Sequence, residues 1–252
     1  MKTAIITGAS SGLGELFTLK LEKYFPEIEA VWLIARRRER MESIAQKLKG
    51  KKVEILPLDL CDNGCIADFA EKLEQERPEI ALLINNAGCG YLANVGEGDL
   101  ADQTRMVDLN VRALTAVTHI AIPYMTSGSR ILNVSSIASF CPNARMTVYS
   151  STKAYVSSFT RGLATELRGQ GIAVTAVCPG PMKTEFLALG NITGNSKQFE
   201  RLPSSDPELV VEGALAAVKA GRVIYTPRAF FKLYRLLAKI LPHSFVVHLA
   251  KC

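Results

Sequence analysis

The sequence predicts an α/β chain: an open, doubly wound sheet of seven parallel strands with helices on both faces. Three observations predict it. Short apolar, β-branched runs recur along the chain and are continuous rather than alternating, as in strands covered on both faces. Amphipathic patterns of helical period lie between them. The first run leads straight into a glycine-rich turn.

In order, the strand runs are "TAIIT" (3–7), "AVWLIA" (30–35), "VEILPL" (53–58), "IALLIN" (80–85), "RILNVS" (130–135), "IAVTAVC" (172–178) and "RVIYT" (222–226). There is no internal repeat, linker or low-complexity segment. One domain is expected, with residues 1–226 as its body and residues 227–252 as a basic amphipathic extension packed on it. The stretch 183–206 is rich in Gly, Asn, Ser and Pro and reads as a long, mobile insertion of the kind that covers a substrate.

Composition narrows the class. Of 252 residues, 48% are hydrophobic and 21% charged, ordinary for a soluble globular protein. No apolar run approaches the roughly 18 residues of a membrane span. Six cysteines are scattered without a CxxC pair, and none of the three histidines is near one. Neither a metal site nor a disulfide framework is expected, and reduced thiols point to a cytoplasmic protein. The net charge of +6 sits in the tail: six basic and no acidic side chains follow from Arg222 onward, while the rest balances at 24 of each. A body so balanced does not suggest nucleic-acid binding.

The turn after the first strand reads "TGASSGLG" (7–14). Glycines here let backbone approach a pyrophosphate closely, and the following helix offers free N–H groups and the positive end of its dipole. The second strand ends in "IARRRERM". An acidic residue at that point would receive the ribose 2′-OH of NAD; instead there are Arg36, Arg37, Arg38 and Arg40. Either Arg36 or Arg37 could pair with a 2′-phosphate. Positive charge in the first turn of a helix opposes the dipole, which favours a function for at least one of them. The expected cofactor is therefore NADP(H). Asp59, after the third strand, could accept from the adenine amino group or cap a helix.

Further along, "YSSTK" (149–153) puts Tyr149 and Lys153 one helical turn apart, facing the same way. Ser136 stands thirteen residues upstream of Tyr149. With "NNAG" (85–88), Asn110 and "PGPMKT" (179–184), these motifs fall in the order and spacing of the short-chain dehydrogenase/reductases, which the chain resembles over roughly residues 3 to 226.

The resemblance implies a Rossmann-like domain, a nicotinamide cofactor, and hydride transfer between a carbonyl and an alcohol. It implies Tyr149 as general acid/base, Lys153 beside it holding the nicotinamide ribose and favouring the phenolate, Ser136 donating to the substrate oxygen, and Asn110 supporting a water chain to Lys153. It sets the cofactor against Gly8, Ser10, Ser11, Gly12, Leu13 and Gly14; Arg36 and Arg37; Asp59 and Leu60; Asn86, Ala87 and Gly88; Asn110, Tyr149 and Lys153; and Pro179, Gly180, Met182 and Thr184. A homodimer or homotetramer is implied too. Many tetrameric members end in a short strand and an Asp-Gly-Gly motif, where this chain reads "RVIYTPRAFFKLYRLLAKILPHSF" instead, a departure that bears on their common tetramer contact. The same departure weakens assignment to the 3-oxoacyl-carrier-protein reductases, which stay as the alternative.

In the tail, Phe230, Leu233, Tyr234, Leu237, Ile240 and Leu241 recur at helical spacing, with Lys232, Arg235 and Lys239 on another face. Four readings fit: packing on the chain's own core, covering the pocket or a dimer partner, resting on an anionic membrane surface, or docking an acidic protein. The apolar members of 183–206 (Phe186, Leu187, Leu189, Ile192, Phe199, Leu202, with Met182 just before) suggest a lipophilic substrate, such as a hydroxysteroid-like or bile-acid-like alcohol or an acyl ketone. Cys89 and Cys141 fall near the expected pocket or serve as small packing residues.

Overall fold

The computed structural model describes residues 1–190, 192 and 202–249. All seven expected strands form: β1 (Lys2–Thr7), β2 (Ala30–Ile34), β3 (Lys52–Leu56), β4 (Glu79–Asn85), β5 (Arg130–Val134), β6 (Ala173–Val177) and β7 (Ile224–Tyr225). They make one all-parallel sheet in the order β3-β2-β1-β4-β5-β6-β7. Its helices are α1 (Gly12–Tyr24), α2 (Arg38–Ala45), α3 (Asn63–Glu76), α4 (Leu100–Val107), α5 (Leu114–Ala121), α6 (Thr147–Glu166), α7 (Glu185–Leu189), α8 (Pro207–Lys219), α9 (Ala229–Ile240) and α10 (His243–Leu249). This is a Rossmann-like fold in a single domain.

Side chains alternate across each strand, so each strand supplies two cores. Ala4, Ile6, Leu82 and Ile84 pack with Phe17 and Leu21 of α1 and Leu215 of α8. Ile5, Leu83, Ile131 and Val174 face the other way, onto Phe69 and Leu73 of α3, Val117 of α5 and Leu163 of α6. Both faces are covered, which is why the strands read as unbroken apolar runs.

The topology decides where a site can form. β1 lies between β2 and β4, so successive crossovers leave it in opposite directions. A crevice opens beyond its carboxyl end, the usual binding place in open α/β sheets. The loops after β1, β4, β5 and β6 all emerge on that edge.

Two sequence expectations need correction. The stretch 183–206 is not a plain loop: Thr184 leads into the short helix α7, and Ile192 is buried against Leu92 and Tyr149. Phe199 lies outside the described residues. The other correction concerns α9. Of the four readings of its apolar stripe, packing on the chain's own core does not hold for Phe230, Leu233, Leu237 and Ile240, which are exposed, whereas Phe231 and Ala238 are the residues buried. The reason is Gly180, in the loop after β6, where a Cβ would overlap the Phe231 ring. The missing side chain makes the seat that sets the rotation of the helix.

Candidate active site

A cavity of about 630 Å³ runs along the carboxyl edge of the sheet. Its first wall is the glycine loop. Gly8 has φ +65°, and a Cβ on Gly14 would collide with the Gly8 carbonyl oxygen. Glycine at both points lets the loop fold flat over the start of α1. Asn86 ties it down, its side-chain amide donating to the carbonyls of Thr7 (3.0 Å) and Gly8 (3.1 Å). The Thr7 hydroxyl in turn accepts from the backbone N–H groups of Asn86 and Ala87.

Arg37 leans over this loop. Its guanidinium donates to the hydroxyls of Ser10 (3.2 Å) and Ser11 (2.7 Å) and pairs with Glu185 at 3.1 Å. Arg40 reaches the other Glu185 oxygen at 2.6 Å. These bonds, Arg40 first, hold the Glu185 carboxyl below its ordinary range. Arg36 is 4.0 Å from Asp59, whose firmer partner is Arg105 at 3.0 Å. Burial works to raise the Asp59 carboxyl, but the Cys61 N–H and the Arg105 guanidinium together bring it below the usual range. Asp59 thus pairs locally, with Cys61 N–H and Arg105, while the cap of α3 is Asp62, whose side chain accepts from Cys65 N–H.

At the far end, β5 delivers Ser136 and α6 delivers Tyr149 and Lys153. Ser136 is in extended backbone and caps a single turn at Ile137–Ser139, accepting from Ala138 N–H at 3.1 Å. Its hydroxyl hydrogen-bonds the Tyr149 phenol. Lys153 Nζ lies 5.8 Å from the Tyr149 ring centroid and donates to the Val134 carbonyl at 2.9 Å. A buried hydroxyl set holds α6 against β5: Ser135 donates to the Lys153 carbonyl at 2.9 Å and meets Ser157 at 2.8 Å.

Burial dominates the electrostatics here. It pushes the Tyr149 phenol up to about 12, against the opposing Ser136 hydrogen bond. It brings the Lys153 ammonium down to about 8. In the protein alone burial therefore dominates both groups, because desolvation penalises the phenolate and the ammonium alike. The Cys89 thiol is likewise raised to about 11, which makes it an inert lining group. Cys141 sits buried under α9, away from the cavity lining.

Of the residues expected around the cofactor, Gly8, Ser10, Ser11, Gly12, Leu13, Arg36, Arg37, Asp59, Leu60, Asn86, Ala87, Gly88, Tyr149, Lys153, Pro179, Gly180, Met182 and Thr184 line the cavity, as does Ser136. Gly14 and Asn110 do not. Gly14 packs beneath the loop. Asn110 is buried in a π-helical turn (Asp108–Ala113) between α4 and α5, a feature frequent at functional sites. Its side chain bonds both backbone groups of Cys89, at 3.0 and 2.8 Å, and Thr152 at 3.0 Å. A Cβ on Gly88 would stand 3.0 Å from Asn110 Oδ1 and 3.3 Å from Lys153 Nζ, so that one glycine separates the two.

Sequence reasoning missed Arg105 as the partner of Asp59, Glu185 as the partner of Arg37, and Phe231 as a wall of the cavity. Each is a contact between residues more than forty positions apart, which no local pattern signals.

The site fits a dinucleotide on its own evidence: the loop is a cradle that a Cβ would fill, and the cavity runs unbroken from it to Tyr149. The comparisons agree. The short chain dehydrogenase family model matches residues 2–191. The chain is 33% identical over 190 residues to sulfoacetaldehyde reductase 2 of Chromohalobacter salexigens, covering 72% of this chain and 73% of that one. It superposes on a short-chain dehydrogenase from Sphingobium yanoikuyae in complex with NADPH with a TM-score of 0.80, at 26% identity, over 96% and 97% of the two chains. A bulky-bulky ketone specific alcohol dehydrogenase from Comamonas testosteroni gives 0.75 at 26% identity, over 95% and 91%. Seven parallel strands as expected, a glycine cradle, and a half-buried serine with a buried tyrosine and lysine lining the same cavity thus converge with these likenesses: the chain belongs to the short-chain dehydrogenase family of oxidoreductases.

Proposed function

We propose that this oxidoreductase interconverts a secondary alcohol and a ketone with NADP(H), and that its substrate is lipophilic. The observation that carries the chemistry is the Tyr149 phenol, hydrogen-bonded by Ser136 and beside Lys153, in the wall of the same cavity that starts at the glycine loop. When bound, the nicotinamide supplies or accepts the hydride. The chain's own groups handle orientation and the proton. Ser136 donates to the substrate oxygen and holds it at Tyr149. In reduction Tyr149 gives its proton to that oxygen; in oxidation it takes one. With the phenol near 12 in the protein alone, Tyr149 starts as a competent acid, and a positive charge brought beside it would favour its service as a base. Asn110, through Cys89 and Thr152, keeps the Gly88 backbone and α6 in register behind Lys153.

Arg37 supports NADP(H), since its guanidinium stands over the glycine loop and lines the cavity there with the Ser10 and Ser11 hydroxyls bonded to it. The NADPH complex of the Sphingobium relative points the same way. The lipophilic substrate is supported by the walls beyond Tyr149: Phe186, Leu187, Leu202, Phe230, Phe231 and Leu237. The bulky-ketone preference in the name of the Comamonas neighbour fits such a space.

The test is loss of reduced-nicotinamide absorbance with NADPH or NADH, against ketosteroids, aliphatic ketones, sulfoacetaldehyde and acetoacetyl thioesters. NADPH oxidation with one apolar class, silent in Tyr149→Phe, is the expected result. Activity confined to sulfoacetaldehyde, or unaffected by Tyr149→Phe, overturns the proposal. Activity on thioesters that falls steeply with salt would instead favour a carrier-protein substrate.

A further inference from the structure

Helix α9 has three faces. At 100° per residue, Phe231 and Ala238 point into the protein, with Tyr234 half-buried beside them. Lys232 and Lys239 lie on one flank, and Arg235, which reaches the Thr226 hydroxyl, adjoins them. The remaining arc of about 120° carries Phe230, Leu233, Leu236, Leu237 and Ile240, all exposed. Ile240 is 69% exposed and Leu236 54%. Phe245 of α10 is exposed as well. Elsewhere among the described residues the large exposed apolar side chains (Met1, Val95, Leu100, Val107, Leu209) are scattered through the sequence, whereas here six fall within sixteen positions. A contiguous patch of this kind marks an interaction surface.

Charge identifies the partner. Between Arg222 and Leu249 there is no acidic side chain and five basic ones. A second copy meeting this face about a two-fold axis would set the same basic flank against itself, with nothing acidic nearby to receive it. An anionic lipid surface receives both parts: acyl chains take the apolar arc, and headgroups take Lys232 and Lys239. Among the described residues no helix is long and apolar enough to cross a membrane, so the contact would lie in the interface. Position adds to this. Phe230 and Leu237 belong both to the exposed arc and to the cavity lining, so the patch begins at the cavity mouth.

We infer that α9 and α10 dock this protein onto an anionic membrane surface, with the mouth of the cavity turned to the lipid. Direct entry of substrate from the bilayer would follow, and that corollary alone rests on the lipophilic reading of the site above; the docking does not.

The experiment is flotation of the full chain with vesicles of phosphatidylcholine alone or with added phosphatidylglycerol, at low and moderate salt. The expected result is binding to the anionic vesicles at least about tenfold above neutral ones, weakened by salt. Lys232→Glu with Lys239→Glu should abolish it. Leu236→Ser with Ile240→Ser, which touch neither cavity nor core, should lower it about tenfold while leaving turnover of a water-soluble ketone unchanged. No binding at low salt, or equal binding to neutral vesicles, overturns the inference. So does a Leu236→Ser/Ile240→Ser variant that binds vesicles normally but changes oligomeric mass by light scattering, since the face would then belong to a second copy. Vesicle binding is read without turnover, so a failure of the proposed chemistry would appear separately.

Discussion

Helices α6 and α9 border the same cavity and break the inside-outside rule in opposite directions. α6 buries its polar residues: Ser150, Thr152, Lys153, Ser157 and Thr160 are inside, with Tyr149. α9 exposes its apolar ones. Each inversion carries a cost, but of a different kind. In α6 the buried groups are hydrogen-bonded to β5 and the serine that follows it, to Asn110 and to the helix's own backbone, so the expense is confined to the two ionisable groups at the site. In α9 the apolar arc has no internal compensation and depends on what the helix meets. The difference teaches that a buried polar face builds chemistry, while an exposed apolar face builds a contact.

The largest expected effect breaks the first half of that comparison. Tyr149→Phe should reduce turnover by about a thousandfold, the scale of a lost general acid/base, while NADPH binding by fluorescence is preserved. Equal loss of binding would mean that the phenol serves the architecture and not the proton.

Within α9, Phe231→Ala should destabilise the chain by about 3–5 kcal/mol in a denaturant titration, because the ring fills the seat at Gly180. Leu236→Ser, on the exposed arc, should stay within about 0.5 kcal/mol. Similar costs for the two would place the arc against the protein's own core.

Lys153→Met should lose most activity yet gain about 1–3 kcal/mol of stability at neutral pH, by removing a buried ammonium. The sign follows from its proton affinity. Lys153 titrates near 8 when folded, below its ordinary 10.5, so the unfolded chain binds the proton more tightly. The penalty is complete below about pH 8 and fades as pH rises toward 10.5. The advantage of the variant in thermal melts should shrink over that window.

Smaller effects belong to the cofactor end of the cleft, where charges are exposed and screened. Arg37→Ala should raise the KM for NADPH by about tenfold and leave that for NADH almost unchanged. Glu185→Gln should act oppositely and weakly, lowering the NADPH KM by about twofold, since it frees Arg37 from an exposed ion pair.

Much of this was legible in the sequence. The seven strands were readable because burial on both faces leaves unbroken apolar runs. The glycine turn was readable because Gly8 and Gly14 meet in a backbone contact that leaves no room for a Cβ. Tyr149 and Lys153 were readable because helical spacing alone aligns them. The pairing of Asp59 with Arg105 and of Arg37 with Glu185 was not, since these partners are joined only by folding. Nor was the π-helical turn that carries Asn110, which lies within a segment of ordinary helical pattern.

The sequence by itself determined the sheet, its order of elements and the local chemistry of each motif, because those depend on neighbours a few residues apart. The rotation of α9 was decided only in three dimensions. Its periodicity allowed either apolar face to turn inward, and the recess left by Gly180, about fifty residues upstream, selected Phe231. Likewise, a tyrosine and a lysine at fixed spacing are only a pattern until burial against β5 raises the phenol and lowers the ammonium, and that burial comes from the packing of distant chain segments.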